Sequence, residues 1–363
     1  MKPRIGFAIE QALGHVAYGM GLKSVLAGRA DFDCEWLDVP YPAGAFERVP
    51  ILGTNWTVRG SLRTRRAIDH ASRTRPFDAL FIHTQTIALF SVAHMKRVPT
   101  LLSLDATPIN YDEFAPFYGD RVHAAPVERL KLWAHRSVMR HVARFTTFSE
   151  WAKQSLIVDY GVDPERVIVI HPGTNLSNYP DPAALATGRR EGPLRVLFVG
   201  GDFVRKGGDL LLEVCRSLKG QVELHLVTSA DVPSGDGVFV YRGLKPLSSE
   251  LFERYREADV FVLPTRADCL ANVLGEAMAS CLPIITTRVG AHAEAVEDGG
   301  SGYLIEPDDR AGLHDRLCRL VADRELLKRM GKRSREIGEE RFDMRKSAAK
   351  IGDILMELAE PRN

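Results

Sequence analysis

The sequence predicts two α/β domains, each a parallel sheet with helices on both faces. Three observations lead to this prediction. The chain has 363 residues, which is more than one typical hydrophobic core accommodates. Short runs rich in β-branched and aromatic residues alternate with longer runs of helical period, as in βα units. The alternation lapses near the middle of the chain and then starts again, which indicates a second domain.

The first series of βα units fills residues 1–172, the predicted amino-terminal domain. Its predicted strands are Arg4–Ile9, Asp33–Leu37, Ala79–His83, Thr100–Leu104, Arg144–Phe148 and Val167–Ile170. Apolar residues recur with the spacing of a helix most clearly in His15–Leu26, Pro126–His141 and Glu150–Tyr160. Short strands separated by helical patterns are typical of a doubly wound sheet.

The second series follows a polar linker, residues 173–192, and occupies residues 193–340. Its predicted strands are Leu194–Gly200, Val222–Val227, Val238–Tyr241, Asp259–Pro264 and Pro283–Thr287. In residues 341–363 the sequence predicts a separate carboxyl-terminal helix with an apolar stripe. One expectation is that this helix packs back toward the amino-terminal domain. A cleft between two such domains is the expected ligand site.

Composition and charge exclude several classes of protein. The 48 basic and 47 acidic side chains give a net charge of +1, so we expect no nucleic-acid partner. The five cysteines are scattered without metal-ligand spacing, and we expect neither disulfides nor a bound metal. No apolar run is long enough for a signal peptide or a membrane span, which predicts a cytoplasmic protein.

Two acidic residues flank the start of a helix in the second domain. Asp268 follows the strand that ends at Pro264, the helix begins near Ala271 or Asn272, and Glu276 lies about one turn into it. Helix amides bind phosphate and carboxylates bind sugar hydroxyls, so the pattern suits a phosphorylated, hydroxyl-rich ligand. On the residues alone, a capping Asp268 and a solvated Glu276 remain an equal alternative.

A pair of cations precedes another helix in the same domain. Arg205 and Lys206 follow a strand and a Gly-Gly turn, and no Walker A spacing is present. Adjacent cations before a helix can neutralise a diphosphate. The arginine guanidinium can bind two phosphate oxygens at once, and the lysine ammonium acts as a point charge. On its own, the pair is more often part of a solvated turn than of a phosphate site.

These segments resemble the family 4 retaining glycosyltransferases. Asp268 and Glu276 are similar to the family's E-x7-E signature, with Asp268 where Glu is usual, and Arg205-Lys206-Gly-Gly-Asp-Leu-Leu-Leu is similar to its phosphate-binding element. Further similarity lies in Thr287–Asp308, Ser149-Glu150 and His171–Asn175, so the resemblance spans nearly the whole chain. It implies the GT-B fold, which has two Rossmann-like domains with an interdomain cleft.

The resemblance also implies roles for individual residues in binding the donor. Glu276 is expected on the ribose, Asp268 on the hexose, and Arg205 and Lys206 on the leaving diphosphate. The loop and helix start around Asp268 add the remaining donor contacts, and the turn after Tyr241 lies beside the base. The additional donor-binding residues are Leu270, Asn272, Val273 and Arg242.

The amino-terminal domain supplies three further candidates. Gly14 and His15 lie between the first strand and its helix, where the family has a glycine loop, and they are expected to contact the donor. Asp105 follows a buried strand and is the candidate for acceptor contact and catalysis. His15 as a helix cap and Asp105 as a turn residue remain alternatives. His83, at the end of the preceding strand, is expected to be a core or cleft-wall residue.

The predicted reaction is transfer of a hexose from a nucleotide diphosphate sugar, UDP- or GDP-linked, with retention of configuration and without a metal or other cofactor. The acceptor is a saccharide, a lipid-linked molecule or a small metabolite. Two alternatives stay open, namely a sugar-nucleotide epimerase on the same fold and a non-catalytic nucleotide-sugar-binding protein. Cations mixed with apolar residues in 129–144 indicate either peripheral contact with the anionic inner face of a membrane or a solvated helix face.

Overall fold

The computed structural model describes residues 1–12, 14–41, 55–118, 125–179 and 192–360, and these divide into two compact units. The first unit comprises Met1–Gly173 together with Met344–Asn363, and the second comprises Thr174–Asp343. Each unit contains a six-stranded sheet in which every described strand pair is parallel, as the alternating pattern predicts.

The first sheet has the strand order β2-β1-β3-β4-β5-β6. Its strands are β1 (Arg4–Gln11), β2 (Asp33–Pro40), β3 (Ala79–His83), β4 (Thr100–Leu104), β5 (Arg144–Thr147) and β6 (Val167–Val169). Every residue of β3 and β4 is buried, because helices cover both faces of the sheet and the strands are therefore continuous apolar runs.

The helices of the first unit begin where the sequence provides caps. Asn55 accepts a hydrogen bond from the Val58 amide, Ser149 accepts one from Ala152, and Thr107 forms a capping box with Asn110. The helices are α1 (His15–Leu26), α2 (Trp56–Ala71), α3 (Val92–Met95), α4 (Pro108–Asp112), α5 (Ala115–Tyr118), α6 (Ala125–His141), α7 (Glu150–Val158) and, from the carboxyl terminus, α14 (Met344–Ala359).

Helix α14 packs within the first unit through its apolar stripe. Ala348, Ile351 and Leu355 are fully buried, and Gly21 of α1 lies so close to the Met344 side chain that a Cβ there would collide. At the surface, Arg29 Nη1 donates to Asp353 Oδ1 at 2.8 Å. Burial of this stripe makes the helix part of the first unit's hydrophobic core.

The second sheet has the order β12-β11-β10-β7-β8-β9. Its strands are β7 (Leu194–Val199), β8 (Val222–Val227), β9 (Val238–Tyr241), β10 (Val260–Leu263), β11 (Ile284–Thr287) and β12 (Gly302–Ile305). Its helices are α8 (Gly208–Ser217), α9 (Ser249–Glu257), α10 (Asn272–Ala279), α11 (His292–Ala295), α12 (Arg310–Ala322) and α13 (Arg324–Arg341).

Strand β12 is not among the strands that the sequence predicts. It is four residues long and begins with a glycine, which is unfavourable for a strand by propensity. Gly302 pairs with Ile284 so closely that a Cβ would meet the Ile284 backbone, and the glycine thus permits the pairing.

Parallel strands bring their carboxyl ends to one edge of each sheet. In the second sheet, β7, β10 and β11 end at Val199, Leu263 and Thr287, just before the loops that contain the predicted site residues. In the first sheet, β3 and β4 end at His83 and Leu104. Ligands of doubly wound folds bind at this edge. Among the described residues, no helix is long and apolar enough to cross a membrane.

Candidate functional site

The cation pair lies on the turn between β7 and α8. Gly207 is the residue before α8, it has φ +74°, and a Cβ on it would collide with the Pro264 carbonyl. Only glycine combines a left-handed conformation with this close approach. The turn is thereby held against the loop that follows β10, which brings Lys206 to the loop that contains Asp268.

Lys206 and Asp268 form an ion pair between Lys206 Nζ and Asp268 Oδ2. The two side chains are 15% and 12% exposed, so most of the pair is removed from water. Burial by itself raises the pKa of Asp268, but the Lys206 ammonium more than offsets this, and the pKa is lowered. Asp268 therefore remains ionised at neutral pH.

Two arginines fasten the loop that contains Asp268. Arg205 Nη1 donates to the Ala267 carbonyl at 2.7 Å, and its Nε donates to Asp202 at 3.0 Å. Arg266 binds Asp209 of α8 through two hydrogen bonds of 2.7 and 3.0 Å. Bidentate arginine contacts fix both distance and orientation, so the loop is held to the start of α8.

Helix α10 begins at Asn272, and Ala271 precedes it without a side-chain cap. Asp268 thus does not cap this helix, which was the alternative left open by the sequence. Asn272 and Val273 supply the first amides of α10, and Leu270 is buried in the loop before it. A helix start beside a lysine and an arginine is suited to a phosphate.

A buried histidine that the sequence did not indicate supports the start of α10. His292 Nε2 accepts a hydrogen bond from the Ala271 amide at 3.4 Å. Thr286 Oγ1 donates to the Leu263 carbonyl at 2.8 Å, so it accepts from His292 Nδ1, which is 2.9 Å away. Burial lowers the pKa of His292 to about 4. His292 is therefore a neutral ring with its proton on Nδ1.

Glu276 has a different environment from that of Asp268. Its Oε2 atom is buried, and among the described residues it has no hydrogen-bond partner. Burial raises the pKa of Glu276 to about 7, and the nearby Tyr255 hydroxyl offsets only part of that rise. The hydroxyl of Tyr179 is also buried, and within the described chain it too makes no hydrogen bond. One oxygen of the carboxyl is thus buried and has no partner among the described residues, although Glu276 as a whole is half-buried.

Arg242 is exposed on the turn after β9. Its Nη2 donates to the Val232 carbonyl at 2.8 Å and lies 3.3 Å from Asp231. In the part of the chain that the structure describes, no hydrogen bond or ion pair joins Arg242 to Lys206 or Asp268. Its contact with a base therefore remains a prediction.

Gly14 and His15 lie at the start of α1 in the first unit. Gly14 is exposed and has φ −65°, a conformation open to any residue, so the backbone does not require glycine there. His15 is half-buried, and its Nδ1 is 2.9 Å from Nε2 of the fully buried His83. This pairing could not be predicted from the sequence, because the two residues are 68 positions apart.

Asp105 has a local partner, and so do Asp31 and Asp33, two acidic residues spaced as in a metal-binding DxD motif. Asp105 Oδ1 accepts from the Ala106 amide at 2.9 Å, which is a turn-type contact. Asp31 accepts from Arg29 Nε at 3.0 Å, and Asp33 lies 3.3 Å from Arg75. Within the described ranges, no cluster of three or more histidine, cysteine or acidic residues could hold a metal ion.

Two family models match the chain, and together they cover both units. Residues 20–173 match the model described as "Glycosyl transferase 4-like domain", and residues 193–323 match "Glycosyl transferases group 1". The chain belongs to the group 1 glycosyltransferases. The chain is 30% identical over 237 residues to the D-inositol 3-phosphate glycosyltransferase of Geodermatophilus obscurus, a match that covers 58% of the chain and 51% of that protein. The chain spans about half the length of the curated relatives it matches.

Solved structures show that the chain has the GT-B fold. Sucrose-phosphate synthase from Thermosynechococcus elongatus superposes with a TM-score of 0.76 at 18% identity, over 98% of this chain and 99% of that one. HepE of Anabaena in complex with UDP-glucose superposes with a TM-score of 0.71 at 16% identity, over 98% and 99%. At such identities the likeness concerns the fold.

Proposed function

We propose that the chain is a retaining hexosyltransferase that takes its sugar from a UDP-linked donor, with a GDP-linked donor as the alternative. The observation that carries the proposal is the ion pair of Lys206 and Asp268. Asp268 lies in the loop just before α10, and Glu276 lies one turn into that helix. This arrangement holds a cation, a permanent carboxylate and a helix start at the carboxyl edge of one sheet.

The proposed mechanism is electrostatic. A donor diphosphate would take the Lys206 ammonium from Asp268, and Arg205 and the first amides of α10 would share its charge. Asp268 would then be free to accept hydrogen bonds from the hexose hydroxyls. As the glycosidic bond lengthens, negative charge grows on the diphosphate, so fixed cations and the helix dipole stabilise the transition state more than the ground state.

Glu276 would accept hydrogen bonds from the ribose hydroxyls, which would satisfy its unpartnered oxygen. Arg242 would lie beside the base, with Leu270 at the wall of the site. Gly14, His15 and Asp105 of the first unit would meet the sugar and the acceptor. The proton of the acceptor would pass to a phosphate oxygen of the leaving group, as the resemblance implies, with retention of configuration.

The relatives support a choice of substrates for the first experiments. The HepE structure is titled as a complex with UDP-glucose, which supports a UDP-linked hexose as the first donor to test. The relatives named D-inositol 3-phosphate glycosyltransferase support a phosphorylated cyclitol as the first acceptor to test. Saccharides and lipid-linked acceptors are the remaining classes.

A donor and acceptor panel tests this proposal. The purified chain is incubated with UDP- or GDP-hexoses and each acceptor class, and nucleotide release and the anomeric configuration of the product are measured by NMR. We expect nucleotide release that depends on the acceptor, a product with the donor's configuration, and loss of both in Lys206→Ala. Formation of an epimeric sugar nucleotide without acceptor would instead indicate an epimerase. Tight nucleotide binding without turnover, even in Asp268→Glu, would indicate a binding protein.

We also propose contact between helix α6 and an anionic membrane surface. Leu130 and Trp133 are 63% and 62% exposed, and Arg129, Arg136 and Arg140 are exposed on the same helix. Tryptophan and arginine on one helix face favour the lipid–water interface. Cosedimentation with phosphatidylglycerol vesicles should fall severalfold in Trp133→Ser and should be weak with phosphatidylcholine vesicles. Equal sedimentation of both proteins would contradict the proposal.

A further inference from the structure

One segment of the second unit holds both ends of the β10–α10 loop, residues 264–271. At the first end, Thr286 Oγ1 of β11 donates to the Leu263 carbonyl at 2.8 Å. At the last end, His292 Nε2 of α11 accepts from the Ala271 amide at 3.4 Å. Thr286 Oγ1 and His292 Nδ1 are themselves 2.9 Å apart. A continuous chain of hydrogen bonds therefore joins the end of β10 to the start of α10.

The same segment also binds the middle of the β10–α10 loop. Thr287 Oγ1 donates to the Thr265 carbonyl at 2.6 Å, and the Ala291 amide donates to the Cys269 carbonyl at 2.8 Å. All four of these residues are buried. A loop that is held at both ends and in the middle keeps one conformation before a ligand binds, as a preorganised site requires.

The two hydrogen bonds of His292 agree on the position of its ring proton. A backbone amide can only donate, so Nε2 must be unprotonated in order to accept from Ala271. The hydroxyl proton of Thr286 goes to the Leu263 carbonyl, so the hydroxyl oxygen accepts from Nδ1–H. Each contact alone requires the Nδ1–H tautomer, and the ring that makes them is fully buried.

Helix α10 depends on this histidine because it has no side-chain cap of its own. The residue before the helix is Ala271, whose methyl group accepts no hydrogen bond. His292 Nε2 accepts from the Ala271 amide, which is the part that the side chain of the third helical residue plays in a capping box. The next amides along the chain, those of Asn272 and Val273, are the ones that the proposed function assigns to the diphosphate. A shift of Ala271 would therefore shift them as well.

We propose that His292 is a positioning residue for the donor diphosphate, because its hold on Ala271 fixes the start of α10 relative to Lys206 and Asp268. His292 itself need not touch the substrate, and all of these residues belong to the second unit. The inference rests on the proposed function in one respect, namely that the start of α10 binds the diphosphate. The tautomer of His292 and its contacts require no ligand.

Nitrogen-15 NMR of the full chain with labelled histidine tests the contacts without a ligand. The signal that disappears in His292→Gln identifies the ring, and we expect it to show a protonated Nδ1 and an unprotonated Nε2. Thr286→Val has a similar shape but no hydroxyl, so the signal of the Nδ1 proton should shift. Thr286→Ser keeps the hydroxyl and should leave that signal in place. An Nε2–H form of His292 in the unmodified protein, or an identical spectrum in Thr286→Val, would overturn the inference.

Calorimetric titration with UDP tests the positioning role. In His292→Leu we expect the Kd for UDP to rise about tenfold with an unchanged number of sites, because Ala271 loses its acceptor. A variant that only folds less completely would instead show fewer sites with an unchanged Kd. His292→Gln, whose amide can accept from Ala271 and donate to Thr286, should restore most of the affinity. His135→Leu removes another buried histidine, from α6 of the first unit, and as the matched control it should leave the Kd unchanged.

Turnover of UDP-glucose gives a further measurement. We expect His292→Leu to lower kcat by a larger factor than it raises KM, because negative charge grows on the diphosphate in the transition state. Should His292→Leu not fold, Thr286→Val gives the same comparison with Thr286→Ser as its control. If UDP binds and these variants match their controls, or lose only sites, the inference is wrong and the proposed function stands. If the tautomer is as expected but neither UDP nor UDP-glucose binds, the proposed function fails, whereas the hold of His292 on α10 stands.

Discussion

The surroundings of Asp268 and of Glu276 differ sharply, although the two carboxyls lie eight residues apart at the start of one helix. Asp268 is paired with Lys206, and its pKa is lowered. Glu276 lies near the hydroxyls of Tyr179 and Tyr255, and among the described residues it forms no ion pair with a cation. Its pKa is raised to about 7. One carboxyl is a permanent charge and the other changes its charge near neutral pH. The neighbours, rather than the residue type, set this difference.

The largest effect is expected from Lys206→Met, which leaves Asp268 buried without its cation. Removing one partner of a buried pair typically costs about 3–5 kcal/mol, so we expect a loss of that size in the free energy of unfolding. Urea denaturation at pH 7.5 measures it. The matched control is Lys219→Met, because Lys219 and Asp236 form an exposed pair of the same type. The control should leave stability nearly unchanged, because exposed pairs contribute little. Equal losses in the two variants would contradict the contrast between buried and exposed pairs.

The next effect concerns Glu276→Gln and stability as a function of pH. The folded-state pKa of about 7 exceeds the usual 4.5, so the folded protein holds a proton that the unfolded chain releases between these values. The contribution of Glu276 to stability is thus fully present below about pH 4.5 and is lost as pH rises through 7. We expect Glu276→Gln to stabilise the protein by about 3 kcal/mol at pH 8 and by about 1 kcal/mol at pH 5. A stability difference that is constant with pH would refute the assignment.

Nucleotide binding should depend on the same carboxyl. If ionised Glu276 accepts from the ribose, UDP should bind roughly tenfold more tightly at pH 8 than at pH 6, because the ionised fraction of a group with a pKa of about 7 rises by that factor. Calorimetric titration measures it. The same titration on Glu276→Gln measures the part of the pH dependence that comes from the ionisation of UDP itself. That part is subtracted from the pH dependence of the unmodified protein. An unchanged pH dependence in this variant would remove Glu276 from ribose binding.

The smallest effect is expected from Tyr179→Phe. The Tyr179 hydroxyl is buried, and within the described residues it has no hydrogen-bond partner. Replacing an unsatisfied hydroxyl by hydrogen should leave stability unchanged or raise it by up to about 1 kcal/mol in the absence of nucleotide. Thermal unfolding measures the change. A loss of more than about 1 kcal/mol would show that this hydroxyl is satisfied in solution.

The sequence predicted most of the fold because its signals are local. Runs of buried residues such as those of β3 and β4 and caps such as Ser149 lie next to the elements they define. Strand β12 was missed because its decisive residue, Gly302, is unfavourable by local propensity and favourable only beside Ile284. Propensity describes a residue's own backbone and contains no information about the neighbouring strand.

The candidate site was predicted as a set of residues but not as a set of contacts. Lys206 and Asp268 were both singled out, yet their ion pair joins positions 62 residues apart and depends on the order of strands in the sheet. The pKa of Glu276 depends on Tyr255, which comes from another helix. His292 was missed as a supporting residue because it acts through the Ala271 amide, a partner that only the fold brings near. Pairwise geometry of this kind is a property of the sheet topology.

The path of the chain has a consequence for truncated variants. Because Met344–Asn363 belongs to the first unit and Thr174–Asp343 forms the second, the second unit is a continuous insertion within the first. The amide of Thr174 donates to the Phe342 carbonyl at 2.7 Å, so the ends of the insertion lie side by side. A stop codon at position 344 would therefore leave the second unit's own residues intact and expose the apolar surface of the first unit that α14 covers. The damage from a premature stop would appear in the half of the molecule that is synthesised first.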